Sequence, residues 1–457
     1  MAGQPVRGLP VGGRNEASDH RLKLENKHPK DHGMSGAASV VGLSCIRCGA
    51  SYPPNIKSDS TGCPACREAA PVNLKPVYAS PIDPLSVASN APRSMWRYTH
   101  ALPCALEDAV SLGEGQTPLL EAARIGRALG VRNLFIKDEG RNPTWSHKDR
   151  FSTVAVSVAR AQGAKVVATA SSGNAGASLA AYAARAGLQC VVATFGGSAN
   201  AMLAQIRKYG ATVLSLGNKM DRWTLLGEAA TRYGWFITSP YRAPVVGSHP
   251  LGIEGYKTIA YEIVEQSGGI APDWCVMPVC YGDALFGVWT GFKELFAQGA
   301  ISRLPRMVAA EVHGSLAQAL ATGSDRLEER SLVFESLAVS IGAPRSTYQA
   351  LKVLRESSGR AVPMNNDGLV VMQERLARDE GLFAELASVT PFLAIARLRE
   401  AGVIAPDDHV VAVATASGLK DLDRSVGHSQ DDTVFRSTDD AWHWLGHNAA
   451  TLMVGEG

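Results

Sequence analysis

The sequence lacks the features of a secreted, membrane-spanning or nucleic-acid-binding protein. No apolar run among its 457 residues is long enough to cross a bilayer, and residues 1–39 are polar, without the apolar core of a signal peptide. The formal net charge of +2 gives no strong field that would attract nucleic acid. We therefore expect a cytoplasmic protein with no membrane partner and no nucleic-acid partner.

Cysteine is also scarce, with eight residues in the whole chain, which argues against a disulfide framework. Four of the eight form two CxxC pairs, Cys45 with Cys48 and Cys63 with Cys66. Two pairs at this spacing are typical of a ribbon that binds zinc through four thiolates. A ribbon without metal and a pair of redox dithiols are the alternatives. The segment contains few basic residues, which favours a structural role over nucleic-acid binding.

The chain does contain a regular alternation of short apolar runs and alanine-rich segments. Continuous apolar runs are typical of parallel strands that are buried on both faces, and the segments between them have helical periodicity. The predicted strands are residues 133–137, 165–170, 189–194, 212–216, 235–238, 274–279, 306–312 and 409–414. The pattern predicts an α/β fold in which helices cover both faces of a parallel sheet.

Lys148 occupies the most informative position in the chain. A strand-like run leads through a proline-containing turn to Lys148, and a helical pattern begins directly after it. A second loop, Ser-Ser-Gly-Asn-Ala-Gly at residues 171–176, follows the next strand and also opens a helix. Helix N-termini offer free N–H groups to anions, and burial beside them favours the neutral amine that Schiff-base chemistry requires. A solvated lysine and a serine helix cap are the simpler interpretations.

Several motifs together resemble one enzyme family. The run Asn-Pro-Thr-Trp-Ser-His-Lys-Asp-Arg at residues 142–150 and the loop at 171–176 are similar to the fold-type II pyridoxal-phosphate enzymes, and within them to the threonine synthases. Further matching segments are residues 96–98, 113–119, 254–258 and 415–421. The two CxxC pairs resemble the ribbon of the threonine synthase and cysteate synthase branch. The resemblance covers residues 45–421.

The resemblance implies a fold and a division into domains. It implies two doubly wound parallel-sheet domains of the tryptophan synthase β type, with a small zinc-ribbon-like segment before them. The expected parts are a disordered leader at 1–40, the ribbon at 41–70, a large cofactor-binding domain at 71–159 plus 246–430, a small substrate-side domain at 160–245 and a C-terminal tail at 431–457. A homodimer is the expected assembly.

The resemblance also implies roles for individual residues. Lys148 would bind pyridoxal 5′-phosphate covalently and move the α-proton of the substrate, and Asn174 would contact the 3′-oxygen of the cofactor. The hydroxyl of Thr415 would face the pyridine nitrogen, and a neutral partner there favours elimination and replacement over transamination. The simpler interpretation of Thr415 is the end of a strand. The cofactor phosphate would lie against Gly282, Asp283 and Ala284. The substrate carboxylate would lie against Ser171, Ser172, Gly173 and Ala175.

The expected phosphate loop departs from the family pattern. Of the family's glycines only Gly282 is present, and Asp283 would place a carboxylate near the phosphate dianion. That arrangement is unfavourable unless the Asp283 side chain turns away, pairs with a cation such as Lys293, or forms hydrogen bonds elsewhere.

The expected substrate site departs from the pattern as well. Threonine synthases hold the substrate phosphate with an arginine, for which residues 248–252 offer no counterpart, and with a lysine, which is replaced by Ala201 or Met202. Arg242 and His249 are the nearby residues that could compensate. Trp145 and His147 also stand beside the lysine in place of the family's small and aromatic residues.

We therefore expect a pyridoxal-phosphate-dependent lyase that converts O-phosphohomoserine and water to threonine and phosphate. One alternative is a sister enzyme that eliminates or replaces another leaving group on an amino acid, such as a dehydratase, a cysteate synthase or an enzyme of specialised metabolism. The missing phosphate cations favour it. The other alternative is a non-catalytic homologue that has lost the cofactor, which the altered phosphate loop favours.

Overall fold

The computed structural model describes residues 40–54, 60–196, 201–330, 334–425 and 434–453. The predicted leader therefore lies outside the described residues up to position 39. The strands are β1 Val40–Cys45, β2 Ser51–Tyr52, β3 Leu74–Tyr78, β4 Leu119–Glu121, β5 Asn133–Asp138, β6 Val166–Thr169, β7 Gln189–Phe195, β8 Thr212–Leu216, β9 Phe236–Ile237, β10 Trp274–Pro278, β11 Arg306–Glu311, β12 Arg360–Pro363 and β13 His409–Ala414. The helices are α1 Ala123–Leu129, α2 Lys148–Ala161, α3 Asn174–Ala186, α4 Ala201–Lys208, α5 Asp221–Arg232, α6 Pro250–Ile253, α7 Lys257–Gln266, α8 Asp283–Ala297, α9 Ser315–Thr322, α10 Tyr348–Glu356, α11 Leu369–Glu380, α12 Leu386–Glu400, α13 Leu422–Ser425 and α14 Thr438–Met453.

The largest sheet has six strands in the order β12-β11-β10-β13-β5-β4. Every pair in it is parallel except the edge pair of β4 with β5, which is antiparallel. Residues of β10 alternate between two cores: Cys275 and Met277 pack with α7 and α8, whereas Trp274 and Val276 pack with α11 and α12. A strand buried on both faces explains the continuous apolar run.

A second sheet has four parallel strands in the order β8-β7-β6-β9. Helices α3 and α4 share one core with it, and α5 shares another on the opposite face. The α/β fold predicted from the sequence is thus confirmed, and each predicted strand is present. The two edge strands of the larger sheet, β4 and β12, were not predicted, because each is too short to give a clear period. The division into domains stays a prediction.

The first part of the described chain forms a small antiparallel sheet in the order β2-β1-β3. Both CxxC pairs lie in or next to it. Near the other end of the chain, α14 lies within the segment that was expected to form a C-terminal tail. None of the helices in the described ranges combines the length and the apolar character that crossing a bilayer requires.

Candidate active site

The predicted site residues lie where the parallel strands end. Lys148 follows β5, Asn174 follows β6, Asp283 follows β10 and Thr415 follows β13 directly. In doubly wound folds the carboxyl ends of the strands form the crevice that binds ligands. The residues predicted from the sequence therefore all lie at or after the carboxyl ends of parallel strands.

Lys148 is the first residue of α2, and its side chain is partly exposed. Its Nζ lies 3.4 Å from the hydroxyl of Tyr256, and none of the described carboxylates forms an ion pair with it. Burial of the amine lowers the pKa of Lys148, and the carboxylates of Asp283 and Glu385 oppose that shift. A lysine in this setting has more of the neutral, nucleophilic amine than a lysine in water.

Buried charged side chains anchor the first turn of α2. The guanidinium of Arg150 forms bonds of 2.7 Å to both carboxylate oxygens of Glu139 and to both of Glu262. Lys137 donates to the same Glu262 over 2.7 Å. Although burial opposes ionisation, Arg150 and Lys137 hold the pKa of Glu262 at about 2. Two cations and two carboxylates thus fix the helix turn that carries Lys148.

The loop before α2 is fixed by a second set of contacts. The carboxylate of Asp149 accepts from the backbone N–H of Thr144 over 2.6 Å and from the hydroxyl of Ser178 over 2.6 Å. Burial raises the pKa of the Asp149 carboxyl to about 6. Ser178 belongs to α3, so this carboxylate joins the start of α2 to the helix of the second loop.

The side chains next to Lys148 occupy different places. Trp145 has a φ of 66° and is 47% exposed, so it lies at the surface of the site and does not fill it. His147 is buried, and its ring lies 5.5 Å from that of Tyr256. Burial lowers the pKa of His147 well below its ordinary value, with the Lys148 charge acting in the same direction. A neutral His147 therefore packs beside the amine.

Asn174 begins α3 and contacts a residue that sequence reasoning missed. Its Nδ2 donates to Oε2 of Glu385 over 2.6 Å, and its buried Oδ1 has no hydrogen-bond partner among the described residues. Glu385 directly precedes α12 and also accepts from the hydroxyl of Ser340. Burial raises the pKa of Glu385. No spacing motif in the sequence links Glu385 to the 171–176 loop.

The small residues before Asn174 leave the start of α3 open. Ser171, Ser172 and Gly173 are partly exposed, and the hydroxyl of Ser171 accepts from the N–H of Gly173 over 3.3 Å. A Cβ on Gly176 would lie 2.0 Å from the carbonyl oxygen of Ser171, so only glycine allows this turn. Ala175, the second residue of α3, is also partly exposed. The first N–H groups of α3 are thus available to an anion.

Thr415 is buried at the end of β13 and is fixed on two sides. Its Oγ1 lies 2.9 Å from Oγ of Ser388, and its carbonyl accepts from the backbone N–H of His147 over 2.8 Å. An isolated bridge joins Ser146 to Ala416 next to it. These contacts fix the position of the Thr415 hydroxyl relative to the loop that carries Lys148.

The loop between β10 and α8 turns at Gly282. Gly282 has a φ of 84°, and a Cβ there would lie 2.3 Å from Cβ of Ala350. The turn requires glycine for both reasons. It leads directly into α8, whose first residues are Asp283 and Ala284. Their backbone N–H groups lie in the first turn of the helix, where they have no partner within the helix.

The side chain of Asp283 is held by hydrogen bonds. Its Oδ2 accepts from the hydroxyl of Ser248 over 2.7 Å, and its Oδ1 accepts from Nε2 of Gln349 over 2.5 Å. The carbonyl of Ser248 in turn accepts from Nδ2 of Asn73 over 2.9 Å. Of the three expected ways to accommodate this carboxylate, hydrogen bonding is the one observed. Lys293 pairs with another acid, Glu356, at 3.0 Å.

The comparison with known families decides the nature of the site. Residues 110–416 match the family described as "Pyridoxal-phosphate dependent enzyme". The chain belongs to this family. It is 36% identical over 343 residues to a threonine synthase of Methanocaldococcus jannaschii, covering 74% of this chain and 83% of that protein. It is 33% identical over 405 residues to a threonine synthase of Methanosarcina acetivorans, covering 87% of this chain and 97% of that protein.

The fold is also found in solved structures. The processed form of threonine deaminase isoform 2 from Solanum lycopersicum matches with a TM-score of 0.58 and 21% identity, covering 74% of this chain and 94% of that chain. The enzyme is thus a pyridoxal-phosphate-dependent lyase of the threonine synthase type, as the sequence predicted. Its cofactor is pyridoxal 5′-phosphate, which disagrees with the hypothesis of a homologue that has lost the cofactor.

The residues of this enzyme fit that cofactor. The Lys148 amine has no carboxylate pair among the described residues, and the unpaired Oδ1 of Asn174 is a buried polar atom that a ligand would satisfy. The start of α8 offers N–H groups to a phosphate, while the Asp283 carboxylate is held by Ser248 and Gln349. The roles of individual residues stay predictions.

The segments where the family carries its substrate-phosphate arginine and lysine, residues 248–252 and 201–202, contain neither residue type. A Cβ on Gly252 would lie 2.6 Å from the ring of Phe151, so this position cannot carry an arginine without rearrangement. At the other position, Sδ of Met202 lies 3.9 Å from the Cβ that Gly173 would carry. A thioether therefore packs against the loop where the family has a lysine.

The four cysteines of the ribbon come together. Their Sγ atoms all lie within 4.8 Å of one another, with Cys45 to Cys66 at 3.8 Å and Cys48 to Cys63 at 3.9 Å. Zinc with bonds of about 2.3 Å to tetrahedral sulfurs places those sulfurs about 3.8 Å apart. The cluster is compatible with one zinc ion in a structural site.

Replacing Cys45 with serine should remove this metal. We expect about one zinc ion per chain in the purified enzyme and well below half of that in Cys45→Ser, because a structural site needs all four ligands. Inductively coupled plasma mass spectrometry measures the content. Cys190→Ala, which changes a buried thiol of β7, serves as the control and should keep the metal. An unchanged zinc content in Cys45→Ser would contradict the assignment.

Proposed function

We propose that the enzyme converts O-phosphohomoserine and water to threonine and phosphate. The observation that carries this proposal is the 33% identity to a threonine synthase that is matched over 97% of its length. The placement of Lys148 at the start of α2, among the loops that close the parallel strands, supports it. Bound pyridoxal phosphate would stabilise negative charge that develops at the carbons of the amino acid.

The residues of the chain have distinct parts in this proposal. Lys148 is the base that removes the α-proton and later a β-proton, and its lowered pKa leaves the amine free to accept them. The start of α3, with Ser171, Ser172 and Gly173, holds the substrate carboxylate through N–H groups and hydroxyls. Phosphate leaves from the γ carbon, which then takes up a proton to become the methyl group. Water adds its hydroxyl at the β carbon, and return of a proton to the α carbon completes the reaction.

The hydroxyl of Thr415 favours this reaction type. Its neighbour within 2.9 Å is the hydroxyl of Ser388, so neither partner carries a charge that would keep a pyridine nitrogen protonated. A neutral partner weakens the electron sink and favours elimination and replacement at the side chain over transamination. In the same proposal Asn174, whose Nδ2 donates to Glu385, contacts the 3′-oxygen of the cofactor.

A sister lyase that acts on another amino acid is the second candidate. The observation that favours it is the absence of both family cations, since residues 248–252 contain no arginine and Ala201 or Met202 replaces the lysine. Two missing charge-assisted hydrogen bonds would weaken binding of a phosphorylated substrate by a hundredfold or more, at about 1.5 to 3 kcal/mol each. A dehydratase or a replacement enzyme has no need for these cations.

Incubation with O-phosphohomoserine distinguishes the two candidates. We expect release of phosphate and formation of threonine in equal amounts, measured by a phosphate assay and by chromatography of the amino acid. L-Serine and L-threonine, tested in the same way for formation of a keto acid, should react at least about 100-fold more slowly, since their hydroxyl is a poorer leaving group. Absence of phosphate release together with formation of a keto acid would reject the proposal in favour of a dehydratase.

The assembly and location belong to the same proposal. We propose a homodimer in the cytoplasm, and the family resemblance supports the homodimer. Light scattering of the purified enzyme tests the assembly, and a mass equal to that of one chain would contradict it.

A further inference from the structure

Arg222 is a buried cation near the site that neither the sequence motifs nor the proposed mechanism accounts for. It is the second residue of α5 and is only 8% exposed. Its Nε donates to the carbonyl of Lys219 over 2.8 Å, and its Nη1 donates to the carbonyl of Ala170 over 3.2 Å. Its guanidinium also lies 5.2 Å from the ring centre of Phe195. All these contacts are with neutral groups.

The charge of Arg222 is unfavourable where it stands. Burial lowers the pKa of the guanidinium, and the N-terminal turn of α5 places it at the positive end of the helix dipole. Within the described part of the chain no carboxylate lies within 4.0 Å of it. A buried cation without a counterion is costly, so an anion is expected to complete this environment.

The guanidinium is placed beside the two loops of the site. Ala170, whose carbonyl it contacts, immediately precedes the Ser171 loop at the start of α3. On the other side, Tyr281 of the loop before α8 is near enough to interact electrostatically with Arg222. Its Nη2 has no hydrogen bond to a described residue and is not among the buried unpaired atoms, so it remains accessible to solvent. One donor of Arg222 thus remains available to a ligand.

The other cations near these loops are already compensated or are oriented elsewhere. Lys420 donates to Gln205 over 2.5 Å, and its charge interacts with the carboxylates of Asp149 and Glu385. Arg345 pairs with Glu329 at 3.7 Å. Arg242, which the sequence suggested as a substitute, is exposed and lines a cavity on the outer face of α5 with Trp223.

His249, the other suggested substitute, is only 3% exposed and stacks on Phe236 with ring centres 4.4 Å apart. Its ring therefore packs in the core and has an aromatic neighbour. Arg222 is the described cation near the two loops that combines burial, an accessible donor and no acidic partner.

We propose that Arg222 binds the side-chain phosphate of the substrate and determines the specificity of the enzyme for an amino acid that carries such a group. The inference rests on the proposed function and names the residue that takes the place of the cations missing from residues 248–252 and from Ala201 or Met202. Arg222 contacts the phosphate through its accessible Nη2 while the Ala170 carbonyl fixes Nη1. The guanidinium is thereby oriented before the substrate arrives, which makes the contact more favourable.

Binding of two unreactive amino acids tests this role without any turnover. L-2-Amino-5-phosphonopentanoate carries a phosphonate that cannot be eliminated, and L-norvaline is the same amino acid without it. Titration of the holoenzyme, followed by the absorption of the cofactor, gives both dissociation constants. In Arg222→Met we expect the dissociation constant of the phosphonate to rise about 10- to 100-fold, as for loss of one charge-assisted contact. That of L-norvaline should change by less than about twofold.

Two further variants control for folding and for charge. Arg232→Met alters an exposed arginine of the same helix, which pairs with Glu228, and should leave both constants unchanged. Arg222→Lys keeps the charge and should give an intermediate loss, since an ammonium lacks the planar fork of donors. If Arg222→Met does not fold, Arg222→Lys decides: an unchanged phosphonate constant would overturn the inference.

The outcomes separate this inference from the proposed function. A wild-type enzyme that prefers the phosphonate, with an Arg222→Met variant that prefers it equally, overturns the role of Arg222 and leaves the function intact. A wild-type enzyme that does not prefer the phosphonate over L-norvaline overturns the inference. Phosphate release from O-phosphohomoserine then tests the proposed function separately. L-2-Aminoadipate, which carries a carboxylate at the same position, provides the last comparison, and tighter binding of it than of the phosphonate overturns phosphate as the recognised group.

Discussion

The Lys148→Ala variant should lose activity by at least about 1,000-fold, because it removes both the covalent attachment of the cofactor and the base that moves protons. It should also lack the absorption band of the lysine-bound cofactor and the product of borohydride reduction at this position. Lys148 is the residue on which several parts of the fold converge: the end of β5, the start of α2 and the contact of His147 with Thr415. Steady-state kinetics and the absorption spectrum provide the measurements.

The matched control is Lys165→Ala, an exposed lysine between α2 and β6. It should retain the wild-type rate and the wild-type spectrum. Loss of a catalytic base should lower the rate far more than tenfold. If the Lys148→Ala enzyme keeps the absorption band and more than a tenth of the wild-type rate, another amine binds the cofactor.

The Arg150→Met variant should lose about 3 to 5 kcal/mol of stability, because it leaves two buried carboxylates with one cation between them. Arg150 is completely buried, and its guanidinium bonds to both oxygens of Glu139 and of Glu262. After the substitution Lys137 still pairs with Glu262, whereas Glu139 loses the only cation at ion-pair distance from it among the described residues. Urea unfolding followed by circular dichroism measures the loss of free energy of unfolding.

Arg160→Met is the control for this experiment, since Arg160 lies on the same helix but is exposed. Its effect should stay within about 0.5 kcal/mol. A loss in Arg150→Met as small as that of the control would mean that the buried carboxylates take up protons at little cost. The activity of Arg150→Met should fall too, because the turn that positions Lys148 loses its anchor.

The sequence predicted the fold and the central loops well for a physical reason. Strands such as β10 and β13 are buried on both faces, so their apolar runs are continuous and easily recognised. The loops of Lys148 and Asn174 come directly after such strands and directly before helices. In a parallel sheet that order of elements alone brings loops to the same edge.

Residues brought in by tertiary packing could not be predicted in this way. Glu385 meets Asn174 from a position more than two hundred residues away, and Arg222 approaches the site from a helix that has no motif of its own. The orientation of Asp283 was also beyond sequence reasoning, since it depends on Ser248 and Gln349 from two other segments. Local spacing gives no information about contacts of this range.

The bond from Asn73 to the Ser248 carbonyl has a consequence for how the enzyme responds to its surroundings. The carbonyl of Asn73 accepts from Ile46 of the first cysteine knuckle, and the adjacent Val72 carbonyl accepts from Cys63 of the second. Ser248 in turn holds the Asp283 carboxylate at the start of α8. If the cysteines bind zinc and the start of α8 binds the cofactor phosphate, as proposed, loss of the metal would disturb these hydrogen bonds and weaken the retention of the cofactor.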